Sequence, residues 1–355
     1  MSYTGGLDNP ELYFQTKLYT GNGSSGTAIT LDGSENMQPD FIWGACRSHA
    51  DNHWMTDSVR GNTKAVFSNG DFNDETSSER IKSFDSDGFT IGNAGDTNTN
   101  TRTYCTWNWK AGTSFSNSAG ANGADLASTG SYNRTAGFSI VTFTGNATAN
   151  QQIYHGLNSV PKWMLLKNRT NSNNESWCVY HENLGNTKKL TLNTTATANT
   201  DTEFWQDTTP TSTVFTVGRQ DAVNGSGNTH VVYLFSEVKG YSKFGSYTGI
   251  GSADGSFIFT GFRPSFIIVR DPNNAENWPM YDNKRPGFNV TNNHLFANDT
   301  AEETASTANI MDFLSNGFKI RSTNNGLNRS GGTFLYAAFA ESPFVNSNGV
   351  PNNAR

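Results

Sequence analysis

One strand-like run occurs three times in this chain, and its recurrence limits the possible folds more than any other feature. Residues 103–110 read TYCTWNWK, residues 229–237 read THVVYLFSE, and residues 333–341 read TFLYAAFAE. Each run follows a Gly/Asn-rich turn and carries an aromatic six residues after its threonine: Trp109, Phe235 and Phe339. Strand side chains alternate between faces, so this aromatic shares a face with the residues two and four after the threonine. The position four after the threonine differs between copies, being Trp107, Tyr233 and Ala337. The run reads as the closing strand of a unit written three times.

Other landmarks recur in the same order. An aromatic strand runs into a Gly/Asn turn at 17–23, 142–146 and 246–251. A proline then opens a dense apolar run at 38–43 (QPDFIW), 160–165 (VPKWML) and 263–268 (RPSFII). Proline is tolerated at a strand's first residue, and an unbroken apolar run reads as a strand buried on both faces. A tryptophan beside a polar loop follows, at Trp54, Trp177 and Trp278. Asp87-Gly88-Phe89 and Asn316-Gly317-Phe318 match each other, whereas the middle copy has Val214–Gly218 there. Proline and threonine lie 64, 68 and 69 residues apart, counting Pro39 to Thr103, Pro161 to Thr229 and Pro264 to Thr333. So little drift over four landmarks implies true repeats, each of a size that suits a separate small domain.

The resulting expectation is an all-β chain of three tandem β-sandwich domains of about 100 residues each, jelly-roll or lectin-like, each with its own core. The boundaries read as an N-terminal arm at 1–15, β-domains at 16–111, 137–239 and 240–342, a linker at 112–136, and a polar tail at 343–355. The arm reads equally as an added strand or as a docking element. The joint at 238–243 is short enough to restrict motion between the second and third domains. Helix signals are scarce; the best, 302–313, is short and Thr-rich.

Composition supports short strands joined by polar turns: 34% of residues are hydrophobic, only 16% charged and 12% aromatic. A net charge of −6 with no Lys/Arg stripe gives no basis for nucleic-acid binding. The first residues lack the features of a signal peptide, and no apolar run approaches the ~20 residues that span a bilayer. Three cysteines without CxxC spacing (Cys46, Cys105 and Cys178) suit a reducing cytosol better than a disulfide framework.

Catalytic chemistry is not apparent. The six histidines do not cluster; His49 and His53 lie four apart without further ligands and read as surface residues. Glu237 and Glu341 are equivalent positions in different units, a poor arrangement for a paired-acid hydrolase. The Asp-rich turns 71–74 and 85–88 resemble calcium loops but lack the twelve-residue pattern and are explained as plain turns, so no cofactor is expected, with calcium there as the alternative. Aromatics next to Asn/Asp loops are the residue types that bind sugars, with ring faces for apolar patches and amides for hydroxyls. Trp54, Trp177 and Trp278 are therefore the candidate ligand-binding residues, although recurrence in every copy also suits a core role.

Several segments resemble a repeat found in virion proteins of marine phages, those of cyanobacteria and SAR11-type bacteria. They are TGNG at 20–23, QPDFIW, DSVRG at 57–61, SFDSDGF at 83–89 and GYSKFGSYTG at 240–249, and the likeness runs from Tyr13 to about Pro343. The resemblance implies a non-enzymatic virion structural protein, assembled in the host cytoplasm. In that role it would be a tail-fibre or receptor-binding component that meets a host-surface glycan or receptor; the alternative is a capsid decoration or head-fibre protein. It also implies a homo-oligomer that contacts other virion proteins through its N-terminal arm, with no nucleic acid or membrane partner. The middle copy lacks SFDSDGF, so a site seated there need not be threefold.

Overall fold

The computed structural model describes residues 6–171 and 173–353, and the chain is all-β. The first unit comprises β1 (Phe14–Thr20), β2 (Thr27–Thr30), β3 (Phe41–Cys46), β4 (Trp54–Asp57) and β5 (Lys64–Phe67), followed by β6 (Glu75–Thr76), β7 (Ile81–Asp85), β8 (Gly88–Ile91) and β9 (Thr103–Trp109). Its strands form an inner sheet ordered β1-β9-β3-β4-β5-β6 and an outer sheet ordered β2-β8-β7. The threonine strand β9 is not at an edge: it lies between β1 and β3 and is antiparallel to both.

The second unit begins earlier than its repeat. It contains β10 (Thr113–Asn117), β11 (Ser128–Asn133), β12 (Phe138–Thr144), β13 (Gln151–Tyr154), β14 (Pro161–Asn168) and β15 (Cys178–His181), then β16 (Lys188–Thr191), β17 (Asn199–Thr200), β18 (Val214–Val217) and β19 (Thr229–Ser236). The stretch 112–136, expected to be a linker, instead supplies β10 and β11, which extend the inner sheet to eight strands in the order β10-β11-β12-β19-β14-β15-β16-β17. Its low apolar content misled because β10 is mostly exposed and what β11 buries is Ser128, Gly130 and Ser131, not apolar side chains. The outer layer here is the pair β13-β18.

The third unit has β20 (Ser242–Thr248), β21 (Phe257–Phe259), β22 (Phe262–Arg270), β23 (Pro279–Asp282) and β24 (Asn293–Phe296), followed by β25 (Thr304–Ala305), β26 (Met311–Leu314), β27 (Gly317–Ile320) and β28 (Thr333–Pro343). Its sheets run β20-β28-β22-β23-β24-β25 and β21-β27-β26. The weak helix signal at 302–313 resolves into strand residues of β25 and β26. Beyond Pro343 the tail folds back, with a bridge between Val345 and Pro351 and Asn352 N–H donating to Phe344 O.

Each unit has a core between its own two sheets: one around Ile42, Trp54 and Phe89, one around Val141, Phe215 and Leu234, and one around Ile267, Phe318 and Tyr336. Separate cores are only half of the arrangement. A fourth and larger cluster is shared by all three units, and the inner sheets face it. The nine residues two, four and six after the repeat threonines all lie in it: Cys105, Trp107, Trp109, Val231, Tyr233, Phe235, Leu335, Ala337 and Phe339. Trp109, Phe235 and Phe339 meet at its centre, with ring centroids 6.0, 5.4 and 5.5 Å apart pairwise. Phe14 stacks on this group, 4.8 Å from Trp109 and 5.5 Å from Phe339. The described part of the N-terminal arm thus packs on its own chain, and Leu7 N–H donates to Lys239 O at the joint between units two and three. Residues 1–5 of that arm, and 354–355 of the tail, lie outside the described residues.

Candidate functional site

The three predicted tryptophans are buried, with 0%, 0% and 4% of Trp54, Trp177 and Trp278 exposed, so none presents a ring face to solvent. They are also not all equivalent. Cross-strand pairing aligns Asp57 with His181 and Asp282, as the partners of Phe41, Trp163 and Phe266. Counting back four residues from each makes His53 the counterpart of Trp177 and Trp278. The backbone agrees: His53, Trp177 and Trp278 N–H donate to Asn69, Asn193 and Asn298 Oδ1, at 2.8, 3.0 and 2.8 Å. Trp54 points into its own unit's core instead. There it lies against Gly44, where an added Cβ would come within 2.2 Å of the indole.

Trp177 and Trp278 join neighbouring units. Trp177 Nε1 donates to Phe67 O of unit one at 2.7 Å, and Trp278 Nε1 donates to Thr191 O of unit two at 3.0 Å. The third joint is closed differently: Trp43 Nε1 donates to Ser68 Oγ, which donates to Ala297 O of unit three at 2.7 Å. Each unit grips the next in one rotational sense, which makes a closed ring of three within a single chain. At this third joint His53, expected at the surface, is fully buried, and neither ring nitrogen finds a partner among the described residues. Burial, aided by nearby Arg285, lowers its pKa to about 3.

The variable position four after the threonine belongs to these joints. Tyr233 OH donates to Asp57 Oδ2 at 2.8 Å and accepts from Arg60 Nη2 at 2.9 Å. Arg60 also pairs with Asp57 at 2.5 Å and Asp74 at 2.8 Å, and Arg169 of unit two pairs with Asp74 at 2.5 Å. Around the ring, Trp107 Nε1 donates to Asp282 Oδ2 at 3.1 Å, Arg285 pairs with Asp282 at 2.6 Å and Glu303 at 3.4 Å, and Arg47 of unit one pairs with Glu303 at 2.9 Å. Burial works against the Asp282 carboxylate, but the Arg285 guanidinium and backbone N–H donors outweigh it and hold its pKa below the usual range. Each network balances two acids with two arginines.

The joint between units two and three replaces all five positions together. His181, Leu184, Ala198, Pro272 and Ala337 stand where the others have Asp, Arg, an acid, Arg and a polar aromatic; Ala198 N–H donating to Pro272 O marks the equivalence with Asp74–Arg169 and Glu303–Arg47. Ala337 has no polar atom to offer, and His181 Nε2 is 3.1 Å from Tyr336 O instead. A buried charge missing one partner costs several kcal/mol, which explains why the set changes as a block. The sequence signal was the D-x-x-R spacing at 57–60 and 282–285, replaced by H-x-x-L at 181–184.

Two recesses at the surface have room for a small ligand. One, of about 300 Å³, crosses unit two and is lined by hydroxyls including Ser116, Thr129, Thr142, Thr144 and Thr229, with Arg169 at its end. That guanidinium is already committed to Asp74. The other, of about 200 Å³, adjoins the polar loop before Trp278 and is lined by Glu276, Asn277, Pro279, Phe296, Asn309, Asn324 and Gly326. Here Asn277 and Asn324 use their Oδ1 atoms internally, accepting from Asn298 Nδ2 and Gly326 N–H. Among the described residues their Nδ2 donors have no hydrogen-bond partner, and the carboxylate of Glu276 lines the same recess. Phe296 is partly exposed, unlike its counterpart Phe67, which is covered by Phe72 and Arg80. The sequence singled out the polar loop beside Trp278; the partly exposed ring in the recess next to that loop is Phe296, eighteen residues on.

The Asp-rich turns are engaged as structure. Asp74 holds two arginines, Asp85 accepts from Ser83 and Thr90 hydroxyls, and Asp87 accepts from Met37 N–H. Among the described residues, no group of three or more His, Cys, Asp or Glu side chains is placed to hold a metal ion.

The fold and recesses define an all-β protein of stacked sheets that presents polar loops. The chain belongs to the family described as Domain of unknown function (DUF7483), whose model matches residues 9–343. No curated protein and no solved structure matches it.

Proposed function

We propose that this chain is a non-enzymatic phage virion structural protein, a tail-fibre or receptor-binding component that attaches to host-surface glycan. The observation that carries this reading is the recess of unit three, where unengaged amide donors and a carboxylate converge around the ring of Phe296. This pairing of aromatic face and hydrogen-bonding rim suits a sugar, whose faces are apolar and whose edge is hydroxylated. Rigid placement on three interlocked units supports it further, because a preorganised rim loses less entropy on binding. Capsid decoration is the second reading, favoured by the ring-of-three arrangement, which matches the local symmetry of a shell.

The test is direct. Purified protein should bind host cells and compete with phage adsorption, and Phe296→Ala with Asn309→Ala should weaken binding about tenfold or more, the equivalent of ~1.4 kcal/mol. Protein that neither binds cells nor competes would overturn the receptor-binding reading. Antibody labelling over the head instead of the tail would favour decoration.

A further inference from the structure

The three outer sheets each have an edge strand at the same place in the repeat, and the three edges are treated differently. Pairing of Ile29 with Phe89, Ile153 with Phe215 and Ile258 with Phe318 aligns β2, β13 and β21 residue by residue. In unit one the outward positions are Ala28 and Thr30, ordinary exposed edge residues. In unit two they are Gln152 and Tyr154, and the chain covers them itself. Asp125 and Leu126 N–H donate to Gln152 O, Ser128 Oγ donates to Tyr154 O, and Phe115 packs on the Tyr154 ring at 5.3 Å. In unit three they are Phe257 and Phe259, 47% and 57% exposed.

The backbone of β21 is as available as its side chains. Ile320 N–H donates to Ser256 O, and Thr260 N–H donates to Asn316 O. Antiparallel ladders alternate, so the N–H and C=O groups of Phe257 and Phe259 point away from β27. Edges with unpaired groups and large apolar side chains are pairing templates, normally blunted by charge, proline or a covering segment. Unit two demonstrates that this edge accepts backbone hydrogen bonds from a covering segment, with an isolated bridge between Leu126 and Ile153.

We propose that β21 pairs edge to edge with β21 of a second copy of this chain. What selects a second copy is the sequence of the edge, Gly255-Ser256-Phe257-Ile258-Phe259-Thr260-Gly261, which reads nearly the same in both directions. A twofold axis through Ile258 sets Phe257 opposite Phe259 of the partner copy, Ser256 opposite Thr260 and Gly255 opposite Gly261. Isologous interfaces require this self-complementarity. The outward groups of Phe257 and Phe259 then exchange hydrogen bonds, while their rings form aromatic cross-strand pairs. Ile258 stays in its own unit's core. The homo-oligomer expected from the sequence thereby acquires a surface and a symmetry, independently of the glycan-binding reading.

The experiment is sedimentation velocity of the full chain over a concentration series. Wild type should show a monomer–dimer equilibrium. Phe257→Ala with Phe259→Thr, which gives unit three the edge residues of unit one, should abolish the dimer with an unchanged circular-dichroism spectrum. Phe259→Pro keeps an apolar side chain but removes one outward donor without touching the ladder to β27, and should also abolish it. Wild type monomeric throughout, or a dimer that survives both variants, overturns the proposal.

Discussion

Replacing Arg60 with leucine should destabilise the protein far more than removing its two acidic partners along with it. The guanidinium is fully buried and bonds Asp57 at 2.5 Å, Asp74 at 2.8 Å, Met55 O at 3.0 Å and Tyr233 OH at 2.9 Å. Leucine fits the position, since Leu184 holds it in unit two. What remains is a buried Asp57 without its counter-charge, and breaking such a pair costs about 3–5 kcal/mol. For a chain of 355 residues unfolding as one body, at roughly 2.1 cal/mol/K of unfolding entropy per residue, that corresponds to a fall in Tm of about 4–7 °C. Arg60→Leu combined with Asp57→Asn and Asp74→Ala removes the stranded carboxylates and leaves only Arg169, whose side chain is 15% exposed and reaches solvent, while the amide oxygen introduced at position 57 still accepts from the backbone. The triple variant should recover about half of the loss or more, a coupling that simple addition of three penalties does not give. Urea unfolding followed by tryptophan fluorescence at neutral pH measures both. A single-variant cost below about 1 kcal/mol, or a triple variant no better than the single, would refute the account of the joints.

Three further outcomes follow from the same geometry. Burial lowers the pKa of His53 to about 3 and those of His155, His181 and His230 to about 4. The unfolded chain binds the extra protons near pH 6.5, so their contribution is complete above that pH and is lost as pH falls towards the folded values. Each forfeits up to about 2 kcal/mol between pH 7 and pH 5, visible as a falling urea midpoint, and His53→Leu should flatten that dependence. Asn98 Nδ2 donates to Gly92 O and Ser24 O, and its Oδ1 accepts from Asn22 N–H, so Asn98→Ala should cost about 1–3 kcal/mol by calorimetry. Isolated pieces 16–111, 137–239 and 240–342 should fail to give cooperative transitions, because each exposes its face of the shared core; three well-folded fragments would contradict this.

Alternation along the threonine strands identified, from sequence, the nine side chains that line the centre. Alternation names a face but not what covers it, so the same nine residues gave no sign that three units share them. Recurrence of Trp109, Phe235 and Phe339 was read as three separate cores for this reason. The error over Trp54 was one of register: an aromatic in strand β4 was matched to two that precede their strands, although counting back from Asp57 and Asp282 gives His53. Position 107 looked individual because its meaning lies in another unit, where Asp282 and Arg285 await it. A polar stretch such as 112–136 carries strands only because the neighbouring sheet offers an edge to extend. The candidate site was legible as a polar loop but not as a recess, since Phe296 gains its exposure from the absence of a cover that unit one supplies with Phe72 and Arg80.

The central claim, that three sandwiches form one body around a common aromatic centre, is tested most directly by scanning calorimetry. If Trp109, Phe235 and Phe339 hold the ring together, the chain unfolds in a single transition whose calorimetric and van't Hoff enthalpies agree. A calorimetric enthalpy about three times the van't Hoff value would mean three units melting independently, and would contradict it.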